Sequence, residues 1–162
     1  MAASAACADG GKVAGEIHGA IESTLDWRDG DLECDGMARP DGEGARLRFA
    51  GPATSGGEKL QLAFIIALPR LERGQSAREL EAGVTLMEES TGVFFSTPDP
   101  STCWADIESQ VPLSGDVDDT AEEYRITGLL YCLSPLAEVH GSRSVTLGDL
   151  EFSGRLDWRV PE

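Results

Sequence analysis

The sequence of 162 residues predicts an all-β domain, a β-sandwich of about 8 to 10 short antiparallel strands. Two observations predict this class: apolar and polar residues alternate with a period of two in most segments, and turn signals recur about every 8 to 15 residues. The 19 Gly and 8 Pro residues suit many loops and favour a sandwich over a closed barrel. We expect one domain over residues 12–162, after a flexible segment over residues 1–11.

The first half of the chain contains five predicted strands. In residues 12–21, Val13, Ile17 and Ile21 fall on one face, which predicts a half-buried strand. The other four strands of this half are predicted over residues 24–28, 31–34, 46–49 and 59–68. Residues 64–67 are apolar on both faces, which predicts a central and deeply buried strand.

Residues 76–83 interrupt the strand pattern. Ser76 and Glu79 have the spacing of a capping box and Gly83 that of a helix stop, so we expect at most one or two helical turns here. Further strands are predicted over residues 84–88, 92–97, 103–109, 124–133 and 145–160, with a bulge or tight turn at residues 148–149.

Acidic residues outnumber basic ones by 29 to 13, which gives a net charge of −16 at pH 7. This charge repels phosphate backbones and anionic headgroups, so nucleic acid is not an expected partner. The longest apolar run, residues 62–68, is far shorter than the ~20 residues of a transmembrane helix. Residues 79–124 contain twelve acidic residues and no basic one, which favours an acidic docking face; a solvated surface that maintains solubility is the alternative.

The four cysteines, Cys7, Cys34, Cys103 and Cys132, have no spacing typical of zinc sites. Their even number in a small strand-rich chain favours disulfides formed in an oxidising compartment, with buried thiols in a cytosolic protein as the alternative. Cys103 and Cys132 lie in strand-like segments and are predicted to pair. If Cys7 is not lipidated, Cys7 with Cys34 is the second predicted bridge. The small residues before Cys7 also resemble the start of a bacterial lipoprotein. We therefore expect an extracytoplasmic protein that is periplasmic, secreted or lipid-anchored at Cys7.

Two acidic segments are candidate cation sites, because carboxylate oxygens are the ligands that Ca²⁺ requires. The candidate metal ligands are Asp29, Asp31, Glu33 and Asp35 in the first segment and Asp116, Asp118 and Asp119 in the second. Residues 31–36 resemble the start of an EF-hand loop, but the twelfth position is Gly42 and no helices flank the segment. A hairpin with an acidic outward face is the alternative explanation.

Trp104 is the candidate ligand-binding aromatic residue. It shares its predicted strand face with Asp106 and Glu108. An exposed Trp beside acidic groups can stack on a sugar ring, and packing over a neighbouring disulfide is the alternative.

Sequence motifs of nucleophilic, metal-dependent or nucleotide-dependent catalysis are absent from the chain. The only histidines, His18 and His140, fall at predicted surface positions. The leading hypothesis is therefore a non-catalytic extracytoplasmic protein that binds a basic protein or a cell-surface component through an acidic face. A calcium- or carbohydrate-binding module is the alternative, and a hydrolase comes third.

The calcium hypothesis predicts a difference in thermal stability between calcium and chelator. Calcium at about 100 times its dissociation constant stabilises a fold by about 2.7 kcal/mol, which raises the melting midpoint by about 5 to 10 °C at this size. The double substitution Asp31→Asn with Asp35→Asn should abolish the difference. An unchanged midpoint in the native protein would count against calcium and favour a docking role for the acidic face.

Overall fold

A computed structural model describes residues 7, 10–40, 43–99, 101–113 and 122–159. These residues form twelve strands and no helix. The strands are β1 (Lys12–Gly19), β2 (Ser23–Arg28), β3 (Glu33–Ala38), β4 (Ala45–Ser55), β5 (Glu58–Leu68), β6 (Ala77–Glu88), β7 (Val93–Ser96), β8 (Cys103–Pro112), β9 (Glu123–Cys132), β10 (Leu136–Glu138), β11 (Ser144–Leu147) and β12 (Leu150–Asp157). Within this part of the chain, no helix is long and apolar enough to cross a membrane.

The strands are hydrogen-bonded in the order β2-β1-β11-β10-β7-β6-β5-β4-β3-β12-β9-β8. Two additional pairings, β1 with β12 and β6 with β8, bring the sheet back on itself, so that the strands surround a core. The all-β, sandwich-like architecture is therefore confirmed. The strand number is higher than predicted, partly because the three-residue strand β10 has too few residues to show alternation. Among the pairings of described residues, only that of β12 with β3 is parallel.

The expectation of helical turns near residues 76–83 is wrong, because these residues begin the long strand β6. Ala82 pairs with Cys103 of β8, and Gly83 pairs with Ala67 of β5. The capping-box pattern is a local signal of the kind that tertiary context overrides. Here two neighbouring strands satisfy the backbone of the segment and select the extended conformation.

One hydrophobic cluster contains buried residues from all twelve strands. Its large side chains include Phe49, which packs against Phe152 with 5.6 Å between ring centroids, and Trp27, which packs against Phe64 at 5.9 Å. The predicted alternation explains this cluster, because every second residue of a strand points to the same face. Residues 64–67 lie in β5, where Phe64 and Ile66 are fully buried, as expected for a central strand.

Both disulfides are present, Cys7 with Cys34 and Cys103 with Cys132. They indicate an oxidising, extracytoplasmic environment. The sulfur of Cys7 is bonded to Cys34 and is not available for a lipid thioether, so the structure favours the bridge over lipidation. Cys7 is buried, and the backbone amides of Gly10 and Gly11 donate hydrogen bonds to Asp29, so these three residues are fixed to the domain in front of β1.

Removing the β8–β9 disulfide should destabilise the fold. Closing a chain separation of 29 residues contributes about 3.6 kcal/mol on the chain-entropy estimate, so Cys103→Ala with Cys132→Ala should lower the free energy of unfolding by about that amount. Urea unfolding under non-reducing conditions measures the loss.

The matched control for this variant is Cys7→Ala with Cys34→Ala, which opens a similar separation of 27 residues. Both double substitutions should lower the free energy of unfolding. Only loss of the Cys103–Cys132 bridge should change the near-ultraviolet circular dichroism of Trp104, because Trp104 neighbours Cys103. Equal stability of all three proteins would contradict the assignment of the bridges.

Candidate functional site

An aromatic platform lies on the outward face of β8 and β9. Trp104 and Tyr131 are directly opposite each other in the antiparallel register, next to the paired Cys103 and Cys132. Their ring centroids are 6.5 Å apart and the ring planes differ by 24°. Cys103 points into the core, so the alternation of β8 turns Trp104 outward. We use the name platform for Trp104 and Tyr131 together.

The platform is surrounded by carboxylates from β6 and β8. Glu81 of β6 is opposite Trp104 in the register, and Asp106 and Glu108 follow Trp104 on the outward face of β8. Glu79 lies at a register shift in β6 between Ala77 and Leu80. We use the name platform carboxylates for Glu79, Glu81, Asp106 and Glu108.

Asp106 fixes the position of two neighbours. Its Oδ1 atom accepts a hydrogen bond of 2.8 Å from the backbone N–H of Glu79 and one of 3.4 Å from the hydroxyl of Tyr131. Glu79 has a φ of 54°, which is unusual for a residue with a side chain. The Asp106 carboxylate therefore holds this strained position of β6 against the platform.

A surface hollow of about 360 Å³ opens beside the platform, and we call it the platform hollow. Its lining residues are Glu79, Trp104, Tyr131 and Leu133. Leu133 is 76% exposed, the largest exposure among the big apolar side chains of the described residues. The hollow therefore combines aromatic surface, an exposed aliphatic group and one carboxylate.

A second hollow of about 530 Å³ is lined by Arg78, Asp106, Glu108 and Leu129, among others. The two hollows together make the outward face of β6, β8 and β9 an uneven, acidic surface.

The electrostatics of the platform are strongly negative. Within the described residues, no ion pair involves any of the platform carboxylates. The pKa of Tyr131 is raised, first by burial and then by the charges of Asp106 and Glu79, and Arg78 opposes the shift. The hydroxyl of Tyr131 donates its hydrogen bond to Asp106.

Trp104 is the only platform residue that the sequence analysis singled out as a ligand-binding candidate. Tyr131 could have been found from the predicted disulfide, because it precedes Cys132 as Trp104 follows Cys103, and paired cysteines bring such neighbours together. No local sequence pattern indicates that Glu79 and Leu133 lie near the platform. The position of Glu79 depends on a bulge in β6, and that of Leu133 depends on where β9 ends.

The first predicted cation segment is spread out in the structure. Asp29 accepts hydrogen bonds of 2.6 and 2.9 Å from the amides of Gly10 and Gly11. Asp31 lies in the turn before β3, and Glu33 and Asp35 alternate along that strand. Among the residues described, no group of three or more His, Cys, Asp or Glu is placed to hold a metal ion.

The second predicted cation segment, with Asp116, Asp118 and Asp119, lies outside the described residues. The calcium hypothesis therefore stays a prediction, to be decided by the melting experiment given above.

Glu88, Ser90 and Thr91 form a polar cluster away from the platform, and their polar groups are hydrogen-bonded to one another. Glu88, at the end of β6, is 5% exposed and accepts hydrogen bonds from the backbone amides and hydroxyls of Ser90 and Thr91. Burial raises the pKa of Glu88, but these four hydrogen bonds outweigh it and leave the pKa below its usual value. Glu88 closes the β6–β7 turn and lines a smaller hollow of about 220 Å³.

The two histidines lie apart from these surfaces. His18 is on the outward face of β1, with its Nε2 3.8 Å from a carboxylate oxygen of Glu16. His140 lies in the turn between β10 and β11 with a φ of 62°. Both occupy the surface positions that the sequence indicates.

Replacing Asp106 should lower the pKa of Tyr131. Asp106→Asn removes a negative charge beside the phenol, so the tyrosinate is less disfavoured and the pKa moves back towards its ordinary value of 10.0. Ultraviolet titration of tyrosinate absorbance measures the change, with Tyr131→Phe to identify the signal against that of Tyr124. A Tyr131 transition that is identical in native protein and Asp106→Asn would contradict the described contact.

Comparison with known proteins gives no relative from which a function could be carried over. No family model matches the chain, and neither a curated protein nor a solved structure matches it. The function proposed below is therefore argued from the residues of this chain.

Proposed function

We propose that this protein is a non-catalytic, extracytoplasmic binding module that docks a basic protein or basic cell-surface component on the platform. A periplasmic or secreted location accords with the two disulfides. The bound partner presents cationic side chains to the platform carboxylates and apolar or planar groups to Trp104 and Tyr131.

The observation that carries this proposal is the pair of half-buried aromatic rings beside carboxylates that have no ion-pair partner in the described residues. Trp and Tyr are enriched at the energetic centres of protein interfaces, because they combine a large apolar surface with a polar group. The position of Leu133 extends the apolar surface at the edge of the platform.

The charge distribution supports a cationic partner over a neutral or anionic one. All four platform carboxylates belong to the stretch of residues 79–124 that contains no Lys or Arg. Several carboxylates elsewhere on the surface do have a basic partner, such as Glu151 with Lys12 and Glu123 with Arg155. The unpaired negative charge at the platform attracts a basic partner and increases its rate of association.

Carbohydrate binding is a second candidate, because the rings of Trp104 and Tyr131 are stacked and partly exposed on one strand pair. A sugar ring stacks on such a surface, and Asp106 and Glu79 accept hydrogen bonds from sugar hydroxyls in this arrangement. Quenching of Trp emission by an oligosaccharide that is insensitive to salt, and absent in Trp104→Ala, would favour this candidate.

The proposed function predicts salt-dependent binding of a basic probe. A short peptide of alternating Arg, Lys and Gly should bind at low salt, and its affinity should fall about tenfold when salt rises from about 50 to about 200 mM. Trp104→Ala should weaken binding by about tenfold, as expected for an aromatic residue at the centre of an interface. Isothermal titration calorimetry measures both effects.

Two matched controls locate the binding surface. Val111→Ala removes an exposed apolar group from the other end of β8 and should leave the affinity unchanged. Glu81→Gln with Glu108→Gln should weaken binding, whereas Glu33→Gln with Asp35→Asn removes the same charge from β3 and should have little effect. Equal losses from the two charge variants would show that net charge alone attracts the peptide and would overturn the proposed site.

A further inference from the structure

An arginine bound to a ring and a carboxylate already occurs within this protein. The guanidinium of Arg143 lies over the ring of Phe95, 5.9 Å from its centroid. Its Nε donates to Oε1 of Glu138 at 3.0 Å, and its Nη2 donates to Oε2 at 3.2 Å. Planar stacking and a two-pronged contact with a carboxylate are the interactions that a guanidinium makes best.

The platform hollow contains the same two kinds of group. Trp104 and Tyr131 supply the ring surface, and Glu79 supplies a carboxylate on the same lining. Within the described residues, no Lys or Arg lines this hollow, and the nearby Arg78 lines the neighbouring hollow instead. The chemistry of the lining is therefore complementary to a guanidinium that comes from another molecule.

We propose that the platform hollow binds the side chain of one arginine of the basic partner, with its guanidinium on the rings of Trp104 and Tyr131 and against the carboxylate of Glu79. The methylene groups of the arginine pack on Leu133. This inference rests on the proposed function, since it names the anchoring residue of the same partner.

Arginine fits this hollow better than lysine does for three reasons. A guanidinium is planar and stacks on an aromatic face, it offers a fork of donors to one carboxylate, and it is less strongly hydrated than an ammonium group. Trp is also the best of the aromatic rings for attracting a cation. A cation–π contact at an exposed site strengthens binding about two- to fivefold, and we expect the advantage of arginine over lysine to be of this size.

Asp106 is a positioning residue in this arrangement. It holds the backbone of Glu79 and the hydroxyl of Tyr131 through one carboxylate oxygen, so two groups that line the hollow keep a fixed separation. Fixing a binding site before the ligand arrives reduces the entropy lost on binding. Asp106 does not line the platform hollow, so it acts on the bound arginine through the groups that it orients.

The test compares three peptides that differ only at the central residue of a Gly-Ser background: arginine, lysine and citrulline, the last being the uncharged analogue of arginine. Binding is followed by the indole N–H signal of Trp104 in two-dimensional nuclear magnetic resonance, assigned with Trp104→Phe. The arginine peptide should shift this signal and bind about two to five times more tightly than the lysine peptide, and the citrulline peptide should bind least.

Two substitutions that each remove one negative charge distinguish binding in the hollow from a general electrostatic effect. Glu79→Gln should remove most of the preference for arginine over lysine, whereas Glu108→Gln should weaken both peptides equally and keep the preference. Asp106→Asn should reduce the arginine affinity and lower the pKa of Tyr131 together, because both follow from the same contact.

The outcomes distinguish the anchor from the proposed function. Equal affinity for the arginine and lysine peptides would overturn the arginine anchor. An unchanged Trp104 signal while the mixed basic peptide still binds would overturn it as well. Neither result would contradict the proposal of a basic partner. Absence of binding by every cationic peptide would overturn both. Binding of the citrulline peptide as tightly as the arginine peptide would also overturn both and favour a neutral ligand such as a sugar.

Discussion

The pairing of β8 with β9 is the constraint on which the candidate site depends. In this antiparallel register Cys103 lies opposite Cys132, and Trp104 lies opposite Tyr131 on the other face. A slip of one residue in either strand would separate both pairs, because each residue would move to the opposite face. The disulfide therefore fixes the register, and the register brings the two aromatic rings together on the outside of the domain.

Strand β6 connects this pair to the rest of the sheet and supplies part of the site. Its second half pairs with β5 and β7, and its first half pairs with β8. The register shift near its start places Glu79 in a left-handed conformation, which Asp106 stabilises through a backbone hydrogen bond. Such strained positions persist only where the surrounding structure holds them, and here the holding residue is itself one of the platform carboxylates.

The large negative charge has different consequences in different parts of the molecule. Exposed pairs such as Lys12 with Glu151 lower the local field but contribute little to stability, because water screens them. Glu88 is satisfied by the turn that it closes. At the platform, the carboxylates lie next to aromatic surface and have no ion-pair partner in the described residues, which is the combination that a cationic group recognises. The position of the acidic residues therefore matters more for recognition than their number does.

The sequence by itself determined the all-β class and most strand positions, and it placed Trp104 on the same strand face as Asp106 and Glu108, because strand alternation is a local property of the chain. It also favoured the disulfide partners, since Cys103 and Cys132 fall in neighbouring strand-like segments. The tertiary structure decided the rest: the extended conformation of residues 77–83, the approach of Tyr131 to Trp104, and the placement of Glu79 beside both. These features depend on pairings between residues that are distant in the chain, and no local pattern specifies which distant strand will supply the partner.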